Sequence, residues 1–207
     1  MPSVRRQIAR RALDLALAIP ALVLLAPLLA ALAALVRATS PGPAFYSQER
    51  VGRFGIPFKL FKFRSMRVGS DRAGALVTGG GDPRVTPLGR WLRRTKLDEL
   101  PQLWNVARGE MSLVGPRPEV PRYVAHYTPA QRRVLQVRPG VTDPATLAFR
   151  DEETRLARVP LSERETFYLK EILPQKLEIN LAHLEQGIAA DIGVLWRTLR
   201  ALVGRSP

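Results

Sequence analysis

The sequence predicts a mainly α-helical protein with one small β-hairpin, held to a membrane by an N-terminal helix-break-helix. Three observations carry this. An uncharged run extends from Leu15 to Val36, two short strand-like stretches follow at Ala44 to Gln48 and Phe58 to Arg64, and residues 162 to 203 show helical periodicity. At 207 residues the chain has room for a membrane segment and one modest core. The expected division is a membrane hairpin over 1–40 and a catalytic or binding domain over 41–207.

The apolar run would be about 33 Å long as an unbroken helix, enough to cross a bilayer. Pro20 and Pro27 interrupt it, and Pro27, near its middle, removes a hydrogen bond and crowds the preceding turn. Arg5, Arg6, Arg10 and Arg11 precede the run, and the chain beyond it is again strongly basic. The positive-inside bias keeps both flanks on the cytoplasmic side, which a re-entrant hairpin broken at Pro27 permits and a single span does not. The run is too long for the core of a signal peptide, and no small-residue cleavage site follows it cleanly.

Gly52 and Gly55 connect the two strands of the hairpin. Lys59, Lys62, Arg64 and Arg67 interleave with Phe58, Phe61 and Phe63, and the spacing fits a half-buried strand whose cations face a phosphate or lipid surface. Gly69 to Pro83 reads as a mobile loop; with no Gly-Lys-Ser/Thr after its glycines, it is not a nucleotide-binding phosphate loop. Thr86-Pro87 opens a helix with an apolar face at Leu88, Trp91, Leu92 and Thr95. Thr128 to Gln131 is a capping box opening another helix that Pro139-Gly140 closes. Ile188, Ile192, Leu195, Trp196, Leu199, Leu202 and Val203 form one face of a final helix, suited equally to a membrane surface or to the body of the protein.

The chemistry concentrates in RRTKLDELPQLWNVARGEMSLVGPRPE, Arg93 to Glu119, where Asp98 and Glu99 sit among basic residues. The spacing of Leu100, Leu103 and Trp104 and the stop at Gly109 predict a short helix starting at the acid pair. Asp98 would then lie near its N-terminus, kept ionised by the helix dipole and by Arg93, Arg94 and Lys96. Two prolines stiffen the backbone around Arg117, whose planar fork suits phosphate oxygens. For an isolated acid pair, a helix cap is the commoner explanation.

The run LDELPQLWNVARGEMSLVGPRP, together with FKLFKFRSM at Phe58 to Met66 and VRPGVT at Val137 to Thr142, in that order after an apolar segment, resembles the bacterial sugar transferases, small monotopic phosphoglycosyl transferases. The resemblance implies a re-entrant membrane helix and amphipathic interfacial helices at the cytoplasmic face of the bacterial inner membrane. It implies transfer of a sugar 1-phosphate from a nucleoside diphosphate sugar, UDP-linked, to polyprenyl phosphate. By the same resemblance Asp98 is the nucleophile that forms a phosphosugar intermediate, Glu99 its partner, and Mg²⁺ a cofactor held by Asp98 or Glu99. Arg93 and Arg117 match phosphate-contact positions, and Lys62, Arg64 and Arg138 are further substrate-binding candidates. The sequence departs from the family after Thr142, where Asp143-Pro144-Ala145-Thr146 replaces the usual Gly-Trp-Ala-Gln.

Composition sets outer bounds. Lys and Arg number 32 against 18 Asp and Glu, a net charge of +14 that calls for an anionic partner. A membrane-anchored nucleic-acid-binding protein or a scaffold would also suit that charge, but neither gives Asp98-Glu99 a task, so nucleic acid is not an expected partner. The absence of cysteine removes disulfides and thiolate chemistry, and His126 and His183 are too few for a histidine-rich metal site.

Overall fold

A computed structural model describes residues 3–70 and 81–204, so most of the expected glycine-rich loop lies outside the described residues. Helix α1 (Val4–Thr39) is capped by Ser3, whose Oγ accepts from the Arg6 N–H at 3.4 Å. The helix continues through Pro20 and Pro27 without the interruption expected there. A proline deletes one N–H and crowds one turn, which weakens a helix without ending it when the flanking residues keep their own bonds. Among the described residues α1 is the one helix long and apolar enough to cross a membrane, and with Val23 and Leu24 68% and 78% exposed it is not the core helix of a soluble domain.

Both ends of α1 rest on the same body. Towards its start, Arg11 donates to the Val106 and Ala107 carbonyls at 2.6 and 2.8 Å, and Asp14 accepts from the Ser112 hydroxyl and the Leu113 N–H. Ala18 then packs with Leu60, Val106 and Met111. Towards its end, Leu32 and Val36 pack with Phe63 and Leu92.

The expected hairpin is present as β1 (Phe45–Val51) and β2 (Pro57–Phe63), antiparallel, with Phe45 opposite Phe63 and a single 3-10 turn, Arg53–Gly55, between them. Helix α2 (Pro87–Thr95) starts as predicted, the Thr86 hydroxyl accepting from the Gly89 N–H at 2.9 Å. The helix expected to begin at the acid pair is divided: Leu97–Glu99 is a 3-10 turn, and α3 (Gln102–Arg108) follows, ending at Gly109 in a left-handed conformation. Pro101 divides them, because within one continuous helix its ring would clash with the Leu97 carbonyl. Asn105 of α3 is fully buried and serves β2 on its open edge, accepting from the Phe61 N–H at 3.1 Å and donating to the Lys59 carbonyl at 2.7 Å.

A second, unpredicted sheet pairs β3 (Ser112–Val114) in parallel with β4 (Gly140–Thr142). Gly115 and Gly140 allow the backbones to touch: a Cβ on Gly140 would lie 2.1 Å from the Gly115 nitrogen. The capping box forms, with bonds in both directions between Thr128 and Gln131, but it opens a 3-10 segment, Gln131–Gln136. Short helices α4 (Pro121–Val124), α5 (Pro144–Ala148), α6 (Glu152–Ala157) and α7 (Arg164–Phe167) lead through a π turn into α8 (Leu173–Leu184) and α9 (Ile188–Val203). Their core gathers Tyr123, Tyr127, Phe149, Leu156, Tyr168, Ile172 and Leu177. On α9, Asp191 and Val194 are buried while Ile192, Trp196, Leu199 and Leu202 stay exposed, so most of the predicted apolar face is left uncovered by the body.

Candidate active site

Lys96, a left-handed residue at φ 60°, turns the chain out of α2 and presents Asp98 and Glu99 from the 3-10 turn towards β2 and the Pro116-Arg117-Pro118 turn. Lys62 of β2 donates to Glu99 Oε1 at 2.9 Å. Arg117 grips the same carboxylate with both ends of its fork, Nη2 to Oε1 at 2.5 Å and Nη1 to Oε2 at 3.2 Å. Both Glu99 oxygens are thus engaged. Asp98 is 6% exposed, and its Oδ1 is buried with no hydrogen-bond partner among the described residues.

The two acids are consequently shifted in opposite directions. For Glu99, burial by itself would raise the pKa, but the Arg117 and Lys62 charges outweigh it and hold the carboxyl well below the usual range. Burial pushes Asp98 up, the Glu99 charge pushes it further, and Lys62, Lys96 and Arg93 offset this only in part. The expectation that a helix start and the neighbouring cations favour ionised Asp98 is corrected in direction: the acid pair lies on a 3-10 turn, Glu99 takes the cations, and Asp98 is shifted up. Arg117 is raised by Glu99, and burial lowers Lys62 against the opposing Glu99 charge.

A buried ion pair alone is weak evidence of function, because structural pairs look the same. Beside it lies a buried Asp98 oxygen without a partner among the described residues, and buried acids with only a structural task are normally hydrogen-bonded.

Four of the seven candidate polar residues meet here: Lys62, Asp98, Glu99 and Arg117. Arg93 stands close enough for its charge to act on Asp98, and its Nη2 donates to Glu153 of α6 at 2.9 Å. Arg64 is corrected. Its buried guanidinium donates to the Ser40 carbonyl at 2.8 Å and to the Pro41 carbonyl, closing the end of α1. Arg138 is also displaced from the acid pair: its Nε donates to the Gly109 carbonyl, and its side chain lines a different hollow with Gln7, Arg10, Asp14 and Arg53.

Three residues that sequence reasoning passed over brace the site. Arg50 donates to the Pro118 carbonyl at 3.0 Å and lies 3.6 Å from Glu119, which accepts from the Tyr168 hydroxyl at 2.6 Å. They hold the proline turn from behind. The only available signal was the acid directly after Gly-Pro-Arg-Pro, because Arg50 and Tyr168 lie far from it in sequence. In the segment that departs from the family pattern, buried Asp143 caps α5 by accepting from the Thr146 N–H at 2.7 Å, and its charge contributes to raising Arg117.

The sequence model of the bacterial sugar transferase family matches residues 5–205. The chain belongs to that family. Among curated relatives, this bacterial sugar transferase is 46% identical over 118 residues to a protein of Bacillus subtilis named as a putative undecaprenyl-phosphate N-acetylgalactosaminyl 1-phosphate transferase, covering 57% of this chain and 66% of that one. It is 43% identical over 154 residues to a UDP-glucose:undecaprenyl-phosphate glucose-1-phosphate transferase of Xanthomonas campestris, covering 72% and 32%. It is 38% identical over 167 residues to an exopolysaccharide production protein of Sinorhizobium fredii, covering 73% and 74%. The chain spans about a third to two thirds of the length of the first relatives it matches. The family is one of membrane-associated sugar transferases, in keeping with the exposed apolar α1.

Proposed function

We propose that the protein transfers a sugar 1-phosphate from a UDP-sugar to polyprenyl phosphate, releasing UMP, through a covalent intermediate on Asp98. The observation that carries the assignment is the buried, unpaired Asp98 oxygen beside a Glu99 whose two oxygens are taken. The names of the relatives, which pair UDP-sugars with undecaprenyl phosphate, support the substrate classes. An Asp98 oxygen attacks the sugar-bearing phosphorus, and the bond to the bridging oxygen breaks as UMP leaves. The phosphate of the lipid then attacks the same phosphorus, the bond to Asp98 breaks, and a polyprenyl diphosphosugar departs with the carboxylate regenerated. Burial and the Glu99 charge make Asp98 a better nucleophile once ionised than an aspartate gripped by arginine would be. Lys62, Arg117 and Arg93 would bind the phosphates, exchanging their present carboxylate partners for phosphate oxygens.

Mg²⁺ fits this donor set as an ion that keeps most of its ligands as water and substrate phosphate. Asp98 Oδ1 is free to ligate, and Glu99 becomes free as its cations move to phosphate, whereas no group of three or more His, Asp or Glu among the described residues makes an all-protein cage. When bound, the ion would neutralise diphosphate charge and make the phosphorus more electrophilic.

The placement we infer is the cytoplasmic face of the bacterial inner membrane, with residues 1–40 re-entrant and 41–207 catalytic. A straight span would carry the ends of α1 to opposite sides, yet Asp14 and Val36 both contact the one body. The exposed row on α9 suits an interfacial helix.

Incubation with labelled UDP-sugar in the absence of polyprenyl phosphate, followed by peptide mass spectrometry, tests the mechanism. The adduct is expected on Asp98, and Asp98→Asn should lose both adduct and turnover while still inserting into membranes. An adduct on Glu99, or full activity with kinetics that need both substrates bound together, would overturn it.

A further inference from the structure

Away from the acid pair, a hollow is lined by Gln7, Arg10 and Asp14 of α1, Arg53 of the hairpin turn, Ser112 and Val114 of β3, and Val137 with Arg138. Three guanidiniums from separate elements meet there. Arg10 is neutralised by Asp191, at 2.5 and 2.7 Å. Arg53 is held by the Gln136 carbonyl at 3.1 Å and by Gln7 Oε1 at 2.6 Å, and Arg138 by the Gly109 carbonyl, and among the described residues neither has a salt-bridged acid of its own. The acid in the wall, Asp14, already accepts twice through its Oδ1. Burial pushes the Arg53 guanidinium down and the Arg138 charge adds to it, which is the mark of like charges crowded together. A bound anion would relieve that crowding.

The rim of the hollow indicates where the anion comes from. Phe54 and Ile56, on either side of Gly55 at the hairpin tip, are 65% and 64% exposed. Phe54 adopts φ 60°, a left-handed conformation that is an outlier for a bulky aromatic residue, with its ring 4.4 Å from the Arg53 guanidinium carbon. Packing does not reward that strain, because the ring is turned to the outside. An apolar tip beside an arginine hollow, tied through Gln7 to the helix that carries the membrane run, has the make-up of a headgroup site: apolar groups enter the acyl boundary and arginines hold the phosphate.

We infer that the hairpin tip and this hollow bind the phosphate of an anionic bilayer phospholipid, with Arg53 and Arg138 as its ligands and Phe54 and Ile56 inserted beside it. This site is independent of the transfer reaction proposed above. The native chain has no cysteine, so Phe54→Cys in the full chain takes a single environment-sensitive fluorophore. In vesicles containing phosphatidylglycerol it should be quenched by spin-labelled acyl chains, whereas the same probe on Asp151→Cys, an exposed position, should not be. By native mass spectrometry Arg53→Ala/Arg138→Ala should hold phosphatidylglycerol about tenfold to hundredfold more weakly than wild type, as loss of charge-assisted contacts requires. A probe at position 54 as wet as that at 151, or equal lipid retention by the double variant, overturns the inference. So does tight binding of inorganic phosphate alone with position 54 still in water, which would make the hollow a site for a soluble anion. The probe arm leaves both arginines in place and so does not depend on whether the double variant folds.

Discussion

Asp98 and Glu99 are neighbours of nearly the same chemistry, and their surroundings pull them apart. Glu99 has both oxygens taken by Lys62 and Arg117, while Asp98 is buried without a partner for Oδ1. A raised pKa means that Asp98 gains its charge at a higher pH than an ordinary aspartate, so the reaction needs it deprotonated and should fail on the acid side as pH falls through that raised value. Glu99→Gln removes a charge that raises Asp98 and frees Lys62, whose charge lowers it. The acid limb of adduct formation, followed in single turnovers with labelled donor, should therefore move to lower pH in that variant. A limb that stays in place or moves upward would mean that another group controls it.

Two elements meet to aim Arg117. The β3–β4 pair anchors its loop, with the Gly140 N–H donating to the Pro116 carbonyl at 3.0 Å and the Gly115 N–H to the Thr142 carbonyl at 3.1 Å. Arg50 holds the far end through the Pro118 carbonyl. Gly140→Ala places a methyl against the Gly115 backbone, where nothing can yield without separating the strands. Such overpacking costs on the order of 1–3 kcal/mol. The expected outcome is a lowered thermal midpoint together with at least tenfold weaker donor turnover, because Arg117 moves with the strand. Unchanged stability and turnover would show that the pair does not set the loop.

For the whole molecule the decisive question is how α1 meets the bilayer. Its two ends lie on one body, and its middle is apolar and exposed. Cysteines introduced at Ser3 and Gln186 of the cysteine-free chain should react with a membrane-impermeant reagent only when the cytoplasmic side is open. Labelling of Ser3→Cys from the periplasm of intact cells would make α1 a single span. Pro27→Ala should increase the spanning fraction by restoring the hydrogen bond that the proline lacks.

Patterns local in the chain were legible in its sequence: the apolar run, the hairpin with its two glycines, the Thr86 cap, the stop at Gly109 and the acids among arginines. Each depends on neighbours a few residues away, whose spacing alone sets the backbone preference. What Asp98, Glu99 and the arginines actually touch depended on packing between segments far apart. Lys62 on β2 and Arg64, just past its end, stand two residues apart, yet Arg64 closes the end of α1 and Lys62 holds Glu99. Arg138 lies near Pro116-Arg117-Pro118 through β3 and β4, yet it faces the other hollow. The direction in which Asp98 is shifted was misread for the same reason. The sequence puts cations beside it, but only the tertiary structure decides that Glu99 receives them and that burial outweighs the remainder. Motif and composition therefore determined the family and the set of charged groups, while their pairing was decided by which carboxylate each folded element could reach.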